Sequence, residues 1–259
     1  MSRQNTQKIL EQTKEFYNEI ALDFSDTRGR WWRGFGDFAK YVRPGGKVLD
    51  IGCGNGRMAE IFADSKAGYL GIDNSEELIK IARERFKDKP WAKFEVGDML
   101  ELESRNPAYR SGRLKVESYD LVLLVAVLHH LPSKKLRLQT LENIFSILKP
   151  GGRLVMINWN LWQAFGWKKK FRYYRYLFNW PEKIKRGVWG VSDAFVPWKP
   201  AGEETKRYIH SFAKGETRRL LKQAGFIIEE LEFKAKSEDK KGIMHGDNLL
   251  AIAVKNGKM

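Results

Sequence analysis

Apolar and polar positions along this chain follow two periods. Residues 4–20 place Ile9, Phe16 and Ile20 at helical spacing, which predicts an amphipathic helix. A second helix is predicted over Trp31–Val42, and it should end at the Pro44-Gly45-Gly46 breaker. We assign residues 1–43 to an N-terminal helical segment.

Short apolar segments then alternate with helical ones. We predict strands at 47–51, 69–73, 94–96, 119–126 and 153–159, with helices near 57–64, after Ser75 and over 133–148. A helix at 215–224 and strands at 226–233 and 249–254 follow. Apolar strands that alternate with helices indicate a parallel sheet covered on both faces. The chain is therefore predicted to be a single α/β domain, 1–259, with a doubly wound sheet and an insertion at 161–210 after the fifth strand.

Composition limits the classes of protein that fit this pattern. With 42% hydrophobic residues, the chain can fill a core. Its single cysteine, Cys53, excludes a disulfide framework and a multi-cysteine metal site, and we expect no metal. No apolar segment is long enough to cross a bilayer, and the first residues lack the apolar core of a signal peptide. We expect a cytoplasmic protein without membrane insertion.

The net charge of +15 is concentrated in one region. Residues 161–222 hold 15 Lys and Arg against 5 Asp and Glu, a net charge of +10. Basic side chains neutralise phosphates and aromatic rings stack on unpaired bases. The residues predicted to contact a nucleic acid are Lys168, Lys169, Lys170, Arg172 and Arg175. Two other interpretations remain open: the aromatic residues form the core of a solvated cap, or the segment lies on an anionic lipid surface.

A glycine-rich loop follows the first strand. Asp50 stands two residues before Gly52, and the glycines are spaced Gly-x-Gly-x-Gly rather than Gly-x-Gly-x-x-Gly. Such a loop lets a ligand approach the backbone closely, although a tight turn alone would also explain it. Asp73 ends the second strand, where a carboxylate can accept both ribose hydroxyls.

Two further segments extend this pattern: Gly97-Asp98-Met99 ends the third strand, and Lys149–Gly152 precedes the fifth. With the glycine loop they resemble the class I S-adenosylmethionine-dependent methyltransferases over residues 44–160. The resemblance implies a Rossmann-like sheet of seven strands in the order 3-2-1-4-5-7-6, with an antiparallel seventh strand at 249–254. It also implies that Asp50 and the loop hold the methionine part of S-adenosylmethionine, Asp73 the ribose, and Asp98 with Met99 the adenine. The residues predicted to bind this cofactor are Asp50, Gly52, Gly54, Asn55, Gly56, Asp73, Asn74, Asp98, Met99 and Val125.

Several methyl acceptors do not fit the residues present. Methylation of cytosine C5 needs a cysteine nucleophile, and Cys53 lies in the cofactor loop. The clamp typical of exocyclic amine methyltransferases is replaced by Val125–Leu131. This segment places His129 and His130 at the carboxyl end of a central strand, where ligands bind in such sheets. The sequence leaves open which of the two faces the acceptor.

Flanking segments resemble the tRNA wobble-uridine carboxymethyl methyltransferases, which esterify 5-carboxymethyluridine in the anticodon. These segments are Ile20–Arg28, Val125–Leu131, Asn158–Asn160 and Arg207–Phe212. The resemblance implies that Arg28, Arg207 and His210 line the acceptor side, and we predict that these three residues and His129 are the catalytic groups. We also predict that His130 and Trp159 contact the substrate. The resemblance implies that the anticodon loop of tRNA is a partner and that a small activator subunit is a possible second one. The chain departs from the family at Gly246–Asn248, so no role is transferred there.

A carboxylate acceptor suits these residues, because it is ionised at neutral pH and needs no general base. An arginine can hold it in fixed geometry. Surface ion pairs for Arg28 and Arg207, and packing for His210, are the alternative interpretations. Two other functions stay open: a small-molecule O-methyltransferase acting on an acidic metabolite or lipid precursor, and a cofactor-binding RNA module without catalysis.

Overall fold

The computed structural model describes residues 2–28, 37–102, 118–162, 175–198, 206–234 and 247–256. Its helices are α1 (Arg3–Glu19), α2 (Ala21–Thr27), α3 (Glu76–Arg85), α4 (Lys134–Ile147), α5 (Trp180–Lys185) and α6 (Lys214–Gln223). Its strands are β1 (Lys47–Ile51), β2 (Gly68–Asp73), β3 (Ala92–Val96), β4 (Tyr119–Val125), β5 (Leu148–Trp159), β6 (Asp193–Pro197), β7 (Lys206–His210), β8 (Phe226–Lys234) and β9 (Asn248–Lys255). None of the described helices combines the length and apolarity needed to cross a bilayer.

Seven strands form one mixed sheet in the order β3-β2-β1-β4-β5-β9-β8. The pairs among β1 to β5 are parallel, and β9 runs antiparallel to both β5 and β8. In the count of predicted strands, β8 is the sixth and β9 the seventh. The order 3-2-1-4-5-7-6 and the antiparallel seventh strand are therefore confirmed.

The centre of the sheet is the apolar core. Leu121, Leu123 and Leu124 in β4 are fully buried, because helices cover both faces of this strand. Truncation of one such side chain to alanine typically costs about 2–5 kcal/mol. The core therefore holds the carboxyl ends of β1 and β4 in fixed positions.

Two predicted elements have different forms in the structure. The helix expected near residues 57–64 is a 3-10 helix, Arg57–Phe62, and Gly56 directly before it has a left-handed backbone (φ 75°). The strand expected from Arg153 already begins at Leu148, since Gly151 (φ 77°) and a register shift between Tyr119 and Leu121 let the chain pair through the predicted breaker. The predicted helix at Trp31–Val42 lies partly outside the described residues, and its described end forms a 3-10 turn at Ala39–Tyr41.

The described part of the insertion after β5 contains α5 and a two-stranded ribbon. Strands β6 and β7 are antiparallel, and Asp193 pairs with His210 in their register. Ile209 on this ribbon packs with Leu161 and Leu177, while Tyr208 packs with Ile9 of α1. The ribbon therefore joins the insertion to the N-terminal helix.

Helix α1 lies across the carboxyl edge of the sheet. The Ser2 hydroxyl caps its first turn by accepting from the Asn5 amide. At its other end, the Asn18 Oδ1 accepts from the Ser75 hydroxyl at 2.7 Å, and Ser75 itself caps α3. The bond to Ser75 holds the end of α1 against the start of α3, just after the carboxyl end of β2.

Candidate active site

A cleft that is open to solvent lies at the carboxyl ends of β1, β2 and β4. This is the position where strand order reverses and where ligands bind in open α/β sheets. Most of the predicted site residues line it: Arg28, Asp50, Gly52, Gly54, Asp73, Asn74, Met99, Val125, His129, His130, Trp159 and Arg207.

Asp50 ends β1 below the glycine loop. Its Oδ2 accepts from the Tyr69 hydroxyl, whereas its buried Oδ1 has no hydrogen-bond partner within the described part of the chain. Burial raises the pKa of Asp50 to about 7. An acceptor atom that faces a cleft without a protein partner fits a cationic ligand group, such as an ammonium.

The glycine loop stays close to Asp73 of β2. The amide of Gly54 donates to Asp73 Oδ2, and the amide of Ser75 donates to Oδ1, each at 2.9 Å. Burial raises the pKa of Asp73, although these two amides oppose the rise. Each carboxylate oxygen keeps a second lone pair, so Asp73 can still accept from two ligand hydroxyls.

Gly52 has no room for a side chain. Its backbone is left-handed (φ 67°), and a Cβ there would lie 2.4 Å from Cγ2 of Val127. Val127 reaches this position because Ala126, also left-handed at φ 61°, turns the chain sharply after β4. A non-glycine residue with positive φ stores strain, and such residues cluster at functional sites.

Several other predicted cofactor residues are not among the described residues that line the cleft. Asn55 is 1% exposed, and Gly56 lies against Phe94, so both support the loop from within the core. Asp98 caps the turn at Met99–Glu101 by accepting from the Leu100 amide at 2.8 Å. Of these and Met99, only Met99 is among the described residues that line the cleft.

The two histidines differ in their hydrogen bonds. Nδ1 of His130 donates to the Tyr208 carbonyl at 2.8 Å, so in the neutral ring Nε2 accepts from the Tyr17 hydroxyl at 2.9 Å. Nδ1 of His129 accepts from the Trp159 amide at 3.4 Å, which leaves the hydrogen on Nε2. Burial lowers the pKa of His130 to about 3, and burial with His130 and Arg207 lowers that of His129 well below its ordinary value. Both rings are therefore neutral at physiological pH.

Arg207 of β7 is a buried cation in the wall of the cleft. It is 3% exposed, and the rings of Trp159, Phe16 and Trp198 surround its guanidinium at 4.8, 5.1 and 5.3 Å. Its charge contributes to the lowered pKa of both histidines. Aromatic faces hold a guanidinium plane in orientation without removing its charge, which suits binding of an anion.

Two further arginines lie on the same side. Arg28 contacts the Trp198 ring at 5.4 Å, and Arg57 contacts the Phe24 ring at 5.9 Å. Burial and the charge of Arg28 lower the pKa of Arg57 to about 10, while Asp50 opposes this. The cleft thus has carboxylates on the β1–β2 side and guanidinium groups on the side of α2 and β7.

Three important cleft residues were missing from the sequence prediction: Tyr17, Arg57 and Trp198. Tyr17 belongs to the helical stripe of α1 and looked like a core residue. Arg57 directly follows Gly56, so a charged residue beside an apolar segment was the available signal. Trp198 directly follows the ribbon strand β6, and nothing in its local sequence distinguishes it from a packing residue.

The structure places other predicted residues elsewhere. His210 is not among the described residues that line the cleft, because both of its ring nitrogens face carboxylates, those of Asp193 and Glu216. Arg175 is exposed and contacts its neighbour Tyr176. Lys168, Lys169, Lys170 and Arg172 lie outside the described residues.

Comparison with known proteins agrees with this geometry. Residues 43–239 match the family described as methyltransferase domain. A tRNA (carboxymethyluridine(34)-5-O)-methyltransferase of Schizosaccharomyces pombe is 28% identical over 244 residues, which cover 85% of this chain and 90% of that protein. The Saccharomyces cerevisiae protein of the same description is 32% identical over 162 residues, 62% of this chain and 52% of that protein.

Solved structures share the fold. An S-adenosylmethionine-dependent methyltransferase of Methanosarcina mazei has a TM-score of 0.62 at 23% identity, covering 84% of this chain and 95% of that chain. A chain of the Haloferax volcanii complex between the Trm112 methyltransferase activator and a methyltransferase has a TM-score of 0.61 at 18% identity, covering 95% of this chain and 98% of that chain. The family match extends over most of the chain, including the cleft residues from Asp50 to Arg207. This protein belongs to the methyltransferase domain family and is an enzyme of the class I methyltransferase fold.

Proposed function

We propose that this enzyme transfers a methyl group from S-adenosylmethionine to the carboxylate of 5-carboxymethyluridine at the wobble position of a tRNA anticodon. The observation that carries the proposal is the buried Arg207 guanidinium, which lies in one cleft with Asp50 and Asp73. The 28% and 32% identities to the two yeast tRNA methyltransferases support the choice of acceptor.

The residues present fit the cofactor. The partnerless Oδ1 of Asp50 suits the methionine ammonium, and the free lone pairs of Asp73 suit the ribose hydroxyls. Met99 offers an apolar surface for the adenine, with Asp98 beside it as an acceptor for the exocyclic amine. When bound, the sulfonium supplies an electrophilic methyl group.

The other side of the cleft fits a carboxylate acceptor. A carboxylate with an ordinary pKa near 4 is already ionised at pH 7, so no side chain has to remove a proton. This agrees with the lowered pKa values of His129 and His130, which make both rings weak bases. A reaction that needs no general base can proceed beside them. Arg207, with Arg28 beside it, holds the acceptor carboxylate in line, and the aromatic walls exclude water.

The predicted role of each ring follows from its contacts. His129 keeps its Nε2 hydrogen for the acceptor side and lies 5.8 Å, ring to ring, from Trp159. His130 uses both nitrogens within the protein and therefore orients Tyr17. Of the two histidines, His129 is the one that contacts the acceptor.

The partners extend beyond the cleft. The net charge of +10 over residues 161–222 supplies the contacts to tRNA phosphates that a methyl acceptor on an anticodon loop requires. A small activator subunit is the second partner, because the Haloferax volcanii neighbour was solved with the Trm112 activator. Both partners are expected to act on the same enzyme.

One experiment tests this function. Labelled S-adenosylmethionine is offered with tRNA that lacks the wobble ester and, separately, with a metabolite extract, each with and without a Trm112-type activator. Label that is released from the tRNA by mild alkali indicates an ester. Inert tRNA together with labelled metabolites would instead favour the small-molecule O-methyltransferase. The Arg207→Gln variant serves as a control that should bind the cofactor but not label the tRNA.

A further inference from the structure

Behind the ribbon lies a buried charge cluster, which we define as Arg137, Asp193, His210 and Glu216. Nδ1 of His210 is 2.7 Å from Asp193 Oδ1, and Nε2 is 3.0 Å from Glu216 Oε2. Nη2 of Arg137 lies 3.6 Å from Glu216 Oε1. Arg137, Asp193 and His210 are each less than 9% exposed. The cluster thus joins α4, β6, β7 and α6 away from the solvent.

The geometry fixes the charge of His210. Both ring nitrogens face carboxylate oxygens, which only accept, so both must carry hydrogen and the ring is an imidazolium. With His210 protonated, two positive groups balance the two carboxylates. Without that proton the cluster would bury one unbalanced negative charge, which is costly in a low-dielectric interior.

Two chains of contacts connect the cluster to the cleft. The Tyr208 hydroxyl donates to Asp193 Oδ1 at 2.5 Å, while the Tyr208 carbonyl accepts from His130, and Tyr208 is bonded directly to Arg207. On the other side, Nη1 of Arg137 donates to the carbonyl of Leu131 at 3.0 Å. Leu131 ends the turn at Leu128–His130, which carries both cleft histidines.

We propose that His210 is a positioning residue whose protonated ring fastens the β6–β7 ribbon to α6, and thereby holds Arg207 and His130 in place on the acceptor side. This inference rests on the proposed function for its kinetic consequence, but not for its structural one. His210 itself touches neither substrate nor cofactor.

The proposal makes the acceptor side sensitive to pH. The groups that face His210 are Asp193 on β6, Tyr208 on β7 and Glu216 on α6, with Arg137 on α4 behind Glu216. Burial lowers the pKa of His210, but hydrogen bonds to Asp193 and Glu216 outweigh it and raise the pKa above the ordinary 6.5. The ionic contacts of His210 with Asp193 and Glu216 are therefore complete below pH 6.5, and they are lost as the pH rises through the raised pKa of His210.

Nuclear magnetic resonance on the full-length enzyme tests the structural part. The His210 Cε1–H signal, assigned by its loss in His210→Gln, should titrate above pH 6.5, and Glu216→Gln should lower its midpoint. The Nε–H signal of Arg207, shifted by its three aromatic neighbours, should move in the wild type with the same midpoint. A His210 midpoint below 6.5, or an Arg207 signal that is independent of it, would overturn the proposal.

Kinetics test the functional part. In His210→Gln we expect kcat/KM for tRNA to fall at least about tenfold at pH 7, with the Kd of S-adenosylhomocysteine changed less than about twofold. His210→Lys, which keeps a positive charge, should retain more activity than His210→Gln, and its activity should not decline at alkaline pH as that of the wild type does. Equal loss of cofactor affinity, or an unchanged pH profile in both variants, would contradict a positioning role.

The magnetic resonance titrations and the kinetic measurements separate the positioning role of His210 from the proposed function. A wild-type enzyme that fails to label tRNA contradicts the acceptor, while the His210 and Arg207 signals still decide whether the ribbon is fastened. If neither variant folds, the wild-type titrations of His210 and Arg207 alone decide the proposal.

Discussion

Tyr17 of α1 donates its hydroxyl hydrogen to Nε2 of His130 at 2.9 Å, across the mouth of the cleft. The two rings also meet edge to face, with centroids 5.4 Å apart. Because Nδ1 of His130 is already bonded to the Tyr208 carbonyl, Tyr17 completes the hydrogen bonds of this ring.

Tyr17→Phe removes the hydrogen bond to His130 and leaves the Nε2 acceptor of that ring without its donor. We expect a loss of about 1–3 kcal/mol in the free energy of unfolding, and a lower kcat/KM for tRNA, because His130 no longer has one orientation. Urea unfolding and the methyl transfer assay measure the two effects. Tyr41→Phe, away from the cleft, should change the unfolding free energy by less than about 0.5 kcal/mol. Equal effects of the two variants would show that the Tyr17 hydroxyl contributes neither to stability nor to the orientation of His130.

Arg207→Lys keeps the positive charge but removes the planar fork. We expect kcat/KM for tRNA to fall roughly 10- to 100-fold, since an ammonium cannot hold a carboxylate bidentately or fill the aromatic enclosure. The Kd of S-adenosylhomocysteine, measured by calorimetry, should stay within about twofold. A variant with normal tRNA kinetics would remove Arg207 from the acceptor site.

Asp50→Asn should remove one contribution to the pH dependence of stability. The pKa of Asp50 is about 7 in the folded protein and about 4 in the unfolded chain, so in the ligand-free protein this carboxyl contributes a loss of stability on the order of 4 kcal/mol as the pH rises from about 4 to 7. The asparagine variant lacks this loss and should be the more stable protein at pH 8, although it binds S-adenosylhomocysteine less tightly. Urea unfolding at pH 5 and pH 8 without ligand provides the comparison.

Asp120→Asn is the matched control for that experiment. Burial raises the pKa of Asp120, but hydrogen bonds from Lys149 and the Lys47 amide outweigh burial and lower this pKa below its ordinary value. The Asp120 carboxylate therefore stays ionised between pH 5 and pH 8. The wild-type difference between the two pH values should therefore persist in Asp120→Asn. If it persists in Asp50→Asn as well, the pKa of Asp50 is not raised.

Gly52→Ala introduces two separate costs. The left-handed backbone costs about 1–2 kcal/mol for alanine, and the overlap with Val127 adds about 1–3 kcal/mol. Gly45→Ala, with φ 77° and nothing within 4 Å of the added Cβ, measures the backbone cost alone. Combining Gly52→Ala with Val127→Ala should recover part of the overlap cost. Thermal unfolding is measured for the wild type, the two single glycine variants and the double variant. Equal destabilisation of Gly52→Ala and Gly45→Ala would show that the overlap with Val127 has no cost.

The basic segment of the insertion gives a prediction from the sequence. Replacing Lys168, Lys169 and Lys170 with alanine should weaken tRNA binding and reduce the slope of log K against log salt by about 2. Cofactor affinity should not change. Filter binding at several salt concentrations measures the slope, and an unchanged slope would favour the solvated cap.

The sequence predicted the strands of the sheet well, because a buried parallel strand such as β4 is apolar almost throughout. Their order was not contained in any one segment and came from the family resemblance. The pairs that build the acceptor side, such as Tyr17 with His130, join positions 113 residues apart in the sequence. No local pattern marks such a pair, and a tyrosine on a helical stripe has the same signature whether it fills a core or lines a cleft. His210 illustrates the opposite case, since its motif was recognisable but its two carboxylate neighbours were not.

Three consecutive residues of α1 contact three different parts of the active site. Phe16 packs on Arg207, Tyr17 bonds to His130, and Asn18 accepts from the cap of α3. During synthesis α1 leaves the ribosome before β7, which follows it by nearly 190 residues. Helix α1 therefore lacks its contact with Arg207 until β7 has been synthesised, and the acceptor side of the cleft cannot be complete before then.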